Sequence, residues 1–137
     1  MSGFNEQIAA EFRANGGRVA RFGDALVILH TTGARSGEPR ENPVMGLPDG
    51  DGWIIPASAA GSPKDPAWAH NLRAHPDIEI EFAGADGVET AEVRAEQLED
   101  PAWAAAWDRF TSASDGFREY ETRTQGRRIP VFRLARR

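Results

Sequence analysis

The sequence predicts an α+β fold: a small, mostly antiparallel barrel of about six strands, with N-terminal, central and C-terminal helices packed around it. Three observations point there. Short apolar stretches with strand patterning outnumber the helical ones. Glycine-rich turns separate neighbouring strands at hairpin lengths. No proline- or serine-rich linker and no step in composition divides the 137 residues, so a single domain is expected over 1–137.

The elements follow in chain order. Phe4, Ile8 and Phe12 recur every fourth residue and predict an N-terminal helix with one apolar face, ended by Gly16 and Gly17. Asp24 to Thr32 centres on the apolar run Leu26-Val27-Ile28-Leu29, which suits a strand buried on both faces. A turn over Thr32 to Gly37 leads to a second strand from about Arg40 to Leu47. Pro48-Asp49-Gly50-Asp51-Gly52 then forms a hairpin turn into Trp53-Ile54-Ile55. Asp65-Pro66 and Asp100-Pro101 each predict a helix start, with a carboxylate at the N-cap and a proline at the first helical position. The first of these helices stops before His75-Pro76, because a residue preceding proline disfavours helical geometry. Ile78, Ile80 and Phe82 alternate with Glu79 and Glu81, and Ala91, Val93 and Ala95 alternate after the Ala83–Gly87 turn, giving two strands with one wet face each. Trp103, Trp107 and Phe110 form a helical stripe, a short helical stretch includes Phe117 and Tyr120, and Ile129 to Leu134 closes the chain as a strand.

Composition narrows the function. Hydrophobic residues at 40% and charged residues at 27% fit a folded globular chain. The absence of cysteine excludes disulfides, thiolate metal sites and cysteine nucleophiles. His30, His70 and His75 are scattered without metal-ligand spacing, so no metal is expected. A net charge of -5 argues against nucleic acid as a partner, since phosphate neutralisation needs an excess of cations. No apolar run spans a bilayer and no signal-peptide core opens the chain, so a cytoplasmic protein is expected, with peripheral membrane contact left open.

Two segments carry candidate chemistry. In Thr31 to Pro43, two glycines bracket a turn whose amides can face an anion, Ser36 adds a hydroxyl, and Arg35 and Arg40 supply planar donors suited to phosphate or carboxylate. The lysine and spacing of a Walker loop are missing, and a solvated hairpin with incidental arginines accounts for the same residues. In Ala57 to Leu72, small side chains lead to a capped helix start that includes Trp68; they allow a flat ring to approach the backbone, or they form a plain strand-to-helix loop. His30 ends an apolar strand and is read either as facing a ring or as a satisfied interior histidine. A serine hydrolase lacks its Gly-x-Ser-x-Gly elbow here.

Read together, the ordered blocks resemble one family. Thr31-Thr32-Gly33 with Arg35-Ser36-Gly37 and Pro39-Arg40, then Asn42-Pro43, Ala57-Ser58 with Gly61, Asp65-Pro66-Ala67-Trp68 with His70-Asn71-Leu72, and Tyr120 to Thr124 with Arg128 to Val131 are similar to the deazaflavin-dependent nitroreductases. That resemblance implies a split β-barrel related to flavin-binding oxidases. It implies binding of coenzyme F-420, with FMN as the alternative cofactor, and hydride transfer from the reduced coenzyme to an electron-poor small molecule such as a quinone or nitroaromatic. A non-catalytic coenzyme- or lipid-binding protein is the alternative from another class, and a homodimer is compatible with the sequence. By motif position, Arg35, Ser36 and Arg40 would contact the phosphate or acidic tail. Asn42, Pro43, Val44 and Met45 would line the strand beside the deazaflavin. Ala57, Ser58 and Ala59 would bring backbone near the ring, and Ala67, Trp68 and Asn71 would continue the cradle. Phe117 stands where the nitroreducing branch has a tyrosine, which leaves Tyr120 as the substrate-pocket phenol and candidate catalytic donor. Ala59 replaces a lysine and Ala69 an aromatic of many relatives, implying a lost tail contact and a wider pocket.

Overall fold

The computed structural model describes residues 4–19 and 25–137, and the side chains of Phe4 and Ala60 and the whole of Asp24 lie outside that description. The chain runs α1 (Phe4–Ala14), β1 (Leu26–Thr32), β2 (Pro39–Met45), β3 (Leu47–Asp49), β4 (Gly52–Pro56), a 3-10 turn (Ala59–Gly61), α2 (Ala67–Ala74), β5 (Asp77–Gly84), β6 (Gly87–Gln97), α3 (Ala102–Ala113), α4 (Gly116–Arg123) and β7 (Val131–Arg136). The strands form one antiparallel sheet in the order β2-β1-β5-β6-β7-β4-β3. Its two terminal strands are consecutive in the chain. Gly46 joins them, donating its N–H to the Ala25 carbonyl at 2.8 Å. A β-carbon on Gly46 would meet Val27 and Ile55 side chains at 3.2–3.4 Å, so a larger residue would crowd the bend. One bent strand therefore pairs with β1 through its first half and with β4 through its second, curling the sheet into a split barrel.

That bend explains the strand count. The expected single strand from Arg40 to Leu47 is divided at Gly46, giving seven strands among the described residues rather than about six. The last strand also starts later than expected, at Val131, with Ile129 and Pro130 leading into it.

Alternation along β1 separates two cores. Val27 and Leu29 point into the barrel with Ile55, Trp68, Ile80, Val93 and Leu134, whereas Leu26 and Ile28 face Ile8, Ala9 and Phe12 of α1. This strand is buried on both faces, as its apolar run predicts. A third cluster gathers Trp107 and Phe110 of α3, Phe117 of α4, and Ile54, Ile129 and Val131. The tryptophan–phenylalanine stripe thus docks α3 against the β4–β7 side and, through Phe117, fixes α4.

The proline-marked helix starts are correct in place and different in chemistry. Neither α2 nor α3 has a side-chain cap, and Pro66 and Pro101 occupy the cap positions. The Asp65 carboxylate instead pairs with Arg127 at 2.7 Å and Arg73 at 3.1 Å, and Asp100 pairs with Arg128 at 2.7 Å. A guanidinium offers a charge-assisted partner roughly twice as strong as a neutral backbone N–H. Among the described residues, no helix is long and apolar enough to cross a membrane.

Candidate active site

Beside the bend at Gly46 lies a cleft of about 490 Å³. Its lining comes from four parts of the chain: Pro43, Val44 and Met45 of β2, Pro56, Ser58 and Ala59 at the exit of β4, Trp68 of α2, and Ser114, Gly116, Phe117 and Tyr120 around α4, with Ala25 at the edge. Among the described residues, the lining includes no Asp, Glu, Lys, Arg or His. Each position has a local cause. Pro43 and Val44 follow the register that pairs them with Ile28 and Val27 of β1. Trp68 is held by its indole, tilted against Phe132 with ring centroids 6.1 Å apart. Phe117 is wedged edge-on to both Trp107 (5.8 Å) and Tyr120 (5.7 Å). The Trp107 indole N–H donates to a Glu121 carboxylate oxygen, tying α3 to α4.

The fold thus brings together Pro43, Val44, Met45, Ser58, Ala59, Trp68, Phe117 and Tyr120, all singled out in the sequence. The other candidates stand elsewhere. Ala57 is fully buried in the barrel core, and Ala67 is exposed at the start of α2. Asn71 is buried; its side-chain oxygen accepts the Ala34 N–H at 2.9 Å, and its amide donates to the Thr31 hydroxyl at 3.5 Å. That hydroxyl donates in turn to the Asn42 side-chain oxygen at 2.9 Å. Asn42 and Asn71 therefore anchor the β1–β2 turn to α2. In that turn the Ser36 hydroxyl accepts the Glu38 N–H at 3.1 Å, and Arg40 pairs with Glu38 at 3.3 Å. Arg35 is exposed with no partner among the described residues, and the Lys64 side chain is likewise exposed and unpaired there. Ala69 is fully buried in the barrel core and is not among the residues that line the cleft.

Tyr120 is half-buried, and its hydroxyl makes no hydrogen bond to another described residue. His70 and His75 are exposed, His70 with Nδ1 3.5 Å from an Arg73 guanidinium nitrogen.

His30 faces α1, away from the cleft. Its Nε2 lies 2.7 Å from Glu81, and Arg13 of α1 pairs with Glu81 at 2.6 Å and with Glu41 at 2.9 Å. The Arg13 guanidinium holds the Glu81 carboxyl below its usual range; burial opposes this and His30 assists it. Ligand atoms of His30, Glu41 and Glu81 all lie within 4.8 Å of one another, a grouping that sequence spacing did not offer. Arg13 already pairs with both carboxylates.

Sequence reasoning also missed Arg127. It donates to the carbonyls of Ala57 (3.1 Å), Ser58 (2.9 Å) and Ser62 (2.9 Å) and to Asp65, behind the wall formed by Ser58 and Ala59. No periodicity or local motif signals a contact across more than sixty residues.

The family model described as F-420H(2)-dependent quinone reductase matches residues 4–135. The chain belongs to this family. An F-420H(2)-dependent quinone reductase of Mycobacterium tuberculosis is 38% identical over 112 residues, covering 81% of this chain and 73% of that protein. A solved F-420-H2-dependent reductase (FDR-A) is 33% identical with a TM-score of 0.69, covering 80% of this chain and 93% of that one. A further structure, described as a domain-swapped dimer, is 31% identical with a TM-score of 0.71 over 94% of each chain. A haem storage protein of Vibrio cholerae, HutZ, at 16% identity and a TM-score of 0.63, shares the fold. The split barrel inferred from the sequence is the family's architecture.

Proposed function

We propose that this family member binds coenzyme F-420 in the cleft and reduces a small, uncharged, electron-poor acceptor of the quinone class. The observation that carries the reading is the cleft itself: β2, the β4 exit, α2 and α4 bring the motif residues onto one surface whose described lining residues carry no charge. The side chains present fit a flat tricyclic group with an anionic tail. Pro43, Val44 and Met45 offer an apolar wall, and the small Ser58 and Ala59 side chains permit close approach of backbone. Arg40 stands three residues before Pro43 on β2, about 10 Å along an extended strand, and Arg35 lies in the turn just ahead. Both guanidiniums are exposed, so they can receive a phosphate or carboxylate tail that leaves the cleft.

When bound, the reduced coenzyme supplies the hydride. The protein binds, orients and excludes water. Trp68 and the β2 residues fix the plane of the ring, and Phe117 bounds the space left for the acceptor. The Tyr120 hydroxyl is free to donate a hydrogen bond to an acceptor oxygen as negative charge develops there. Phe117 carries no donor, so nitroaromatic acceptors are reduced more slowly than quinones.

Fluorescence titration with F-420 and FMN tests the reading, with F-420 expected to bind more tightly; tighter FMN binding would overturn the cofactor assignment. Arg40→Ala should weaken F-420 binding by roughly 1.5–3 kcal/mol, in a salt-dependent manner. Arg136→Ala should not, because that guanidinium sits over Trp53 and Phe82 outside the cleft. Equal dissociation constants for the two variants would remove Arg40 from the site.

A further inference from the structure

Arg127 lies in the connection between α4 and β7, and its side chain is only 13% exposed. All of its side-chain hydrogen bonds go to one stretch, from Ala57 to Asp65, which leaves β4 and leads to α2. Within that stretch Ala59 has φ 48°. A residue with a β-carbon is strained in this left-handed region, and such strain persists only where the surroundings over-determine it. Arg127 grips the chain on both sides of the strained residue, through the Ser58 carbonyl before it and the Ser62 carbonyl after it.

The same stretch seats α4. Gly61 has φ 82°, and a β-carbon there would stand 3.0 Å from both the Cα and the carbonyl oxygen of Tyr120. Only glycine combines that conformation with so close an approach. Ser58 and Ala59 line one side of the cleft and Tyr120 another, so the conformation of this stretch sets the distance between them.

We propose that Arg127 is a positioning residue for the cleft: without lining it, Arg127 holds Ala59 left-handed and thereby fixes the Ser58–Ala59 wall relative to Tyr120. This rests on the coenzyme reading given above. The role does not consist of delivering charge to the ligand, because Arg127 does not line the cleft and its guanidinium is taken up by Asp65 and three backbone carbonyls. It depends on a planar fork that reaches four acceptors at once, and a lysine ammonium cannot reproduce that fork.

The test is equilibrium titration with F-420 of the wild type, Arg127→Lys, Arg127→Gln and the double variant Arg127→Gln/Ala59→Gly, with thermal melting of each. Both single variants should bind at least tenfold more weakly. Adding Ala59→Gly should recover several-fold of the loss, since glycine adopts the left-handed conformation without the grip. Glu81→Gln, on the α1 side of the barrel, serves as the control for general destabilisation; it should lower the melting temperature and leave F-420 affinity unchanged. Should Arg127→Gln fail to fold, Arg127→Lys with and without Ala59→Gly makes the same comparison. Wild-type affinity in the Arg127 variants, no recovery by Ala59→Gly, or equal weakening by Glu81→Gln would each overturn the positioning role and leave the coenzyme reading standing. Absence of F-420 binding by the wild type would overturn both.

Discussion

On one side of β1, His30 joins Arg13, Glu41 and Glu81 in a compact polar group beneath α1; near the start of the same strand, Ala25 borders a cleft with no ionisable acid or base of the Asp, Glu, Lys, Arg or His type among its described lining residues. The two regions lie close in sequence and treat charge in opposite ways. Beneath α1, two carboxylates share one guanidinium. In the cleft an ionised side chain covered by a flat ligand would lose water without gaining a partner, which costs several kcal/mol by general estimates. Arg35 and Arg40 stand outside it, in the β1–β2 turn and at the start of β2. The difference teaches that a strand's alternation, more than residue type, decides which chemistry a side chain joins. His30 follows Ile28 onto the α1 side, and this one-residue parity separates it from any ring in the cleft.

Trp68 belongs to the cleft and the core together. Trp68→Ala should cost about 3–5 kcal/mol of stability. Chemical denaturation with and without F-420 separates the two contributions; an unchanged intrinsic affinity would confine Trp68 to packing.

Glu81→Gln should cost about 1–2 kcal/mol at neutral pH through loss of the charge-assisted bonds to Arg13. The sign follows from the lowered carboxyl of Glu81. Its stabilisation is fully present above the unfolded-state value, near pH 4.3, and is lost as pH falls through the folded-state value. Melting curves of wild type and variant should therefore converge in acid. A gap that persists at the lowest accessible pH would remove the ion pair as its cause.

Tyr120→Phe should have the smallest effect, a several-fold drop in quinone reduction with F-420 affinity nearly unchanged. Single-turnover oxidation of the bound reduced coenzyme reads it directly, and an unchanged rate would make Tyr120 a pocket wall like Phe117.

Much of this architecture was legible because its signals are local. The period-two strands at Ile78–Phe82 and Ala91–Ala95 and the Trp103–Trp107–Phe110 stripe all appear where their spacing places them. The cleft was legible through its motif blocks, which supplied Pro43 to Met45, Ser58, Ala59, Trp68, Phe117 and Tyr120. What escaped depends on distant partners. Asp65 reads as a helix cap until Arg127 and Arg73 arrive from elsewhere in the chain. The hydrogen bonds of Asn42 and Asn71 to Thr31 and Ala34 likewise join residues that no local pattern pairs. The division at Gly46 escaped because a bent strand keeps its strand-like composition on both sides of the bend.

The bend at Gly46 also determines which strand is left at the sheet's margin. β2 pairs with β1 along one edge, and its other edge ends the sheet. An open margin of this kind is where a second chain adds its own strand and aggregation begins. Here the margin is Pro39-Arg40-Glu41-Asn42-Pro43, with two prolines that lack an N–H and two exposed charges. The segment that borders the cleft is thus a poor template for an intruding strand, and the opening beside it can stay accessible to small molecules even in a crowded solution.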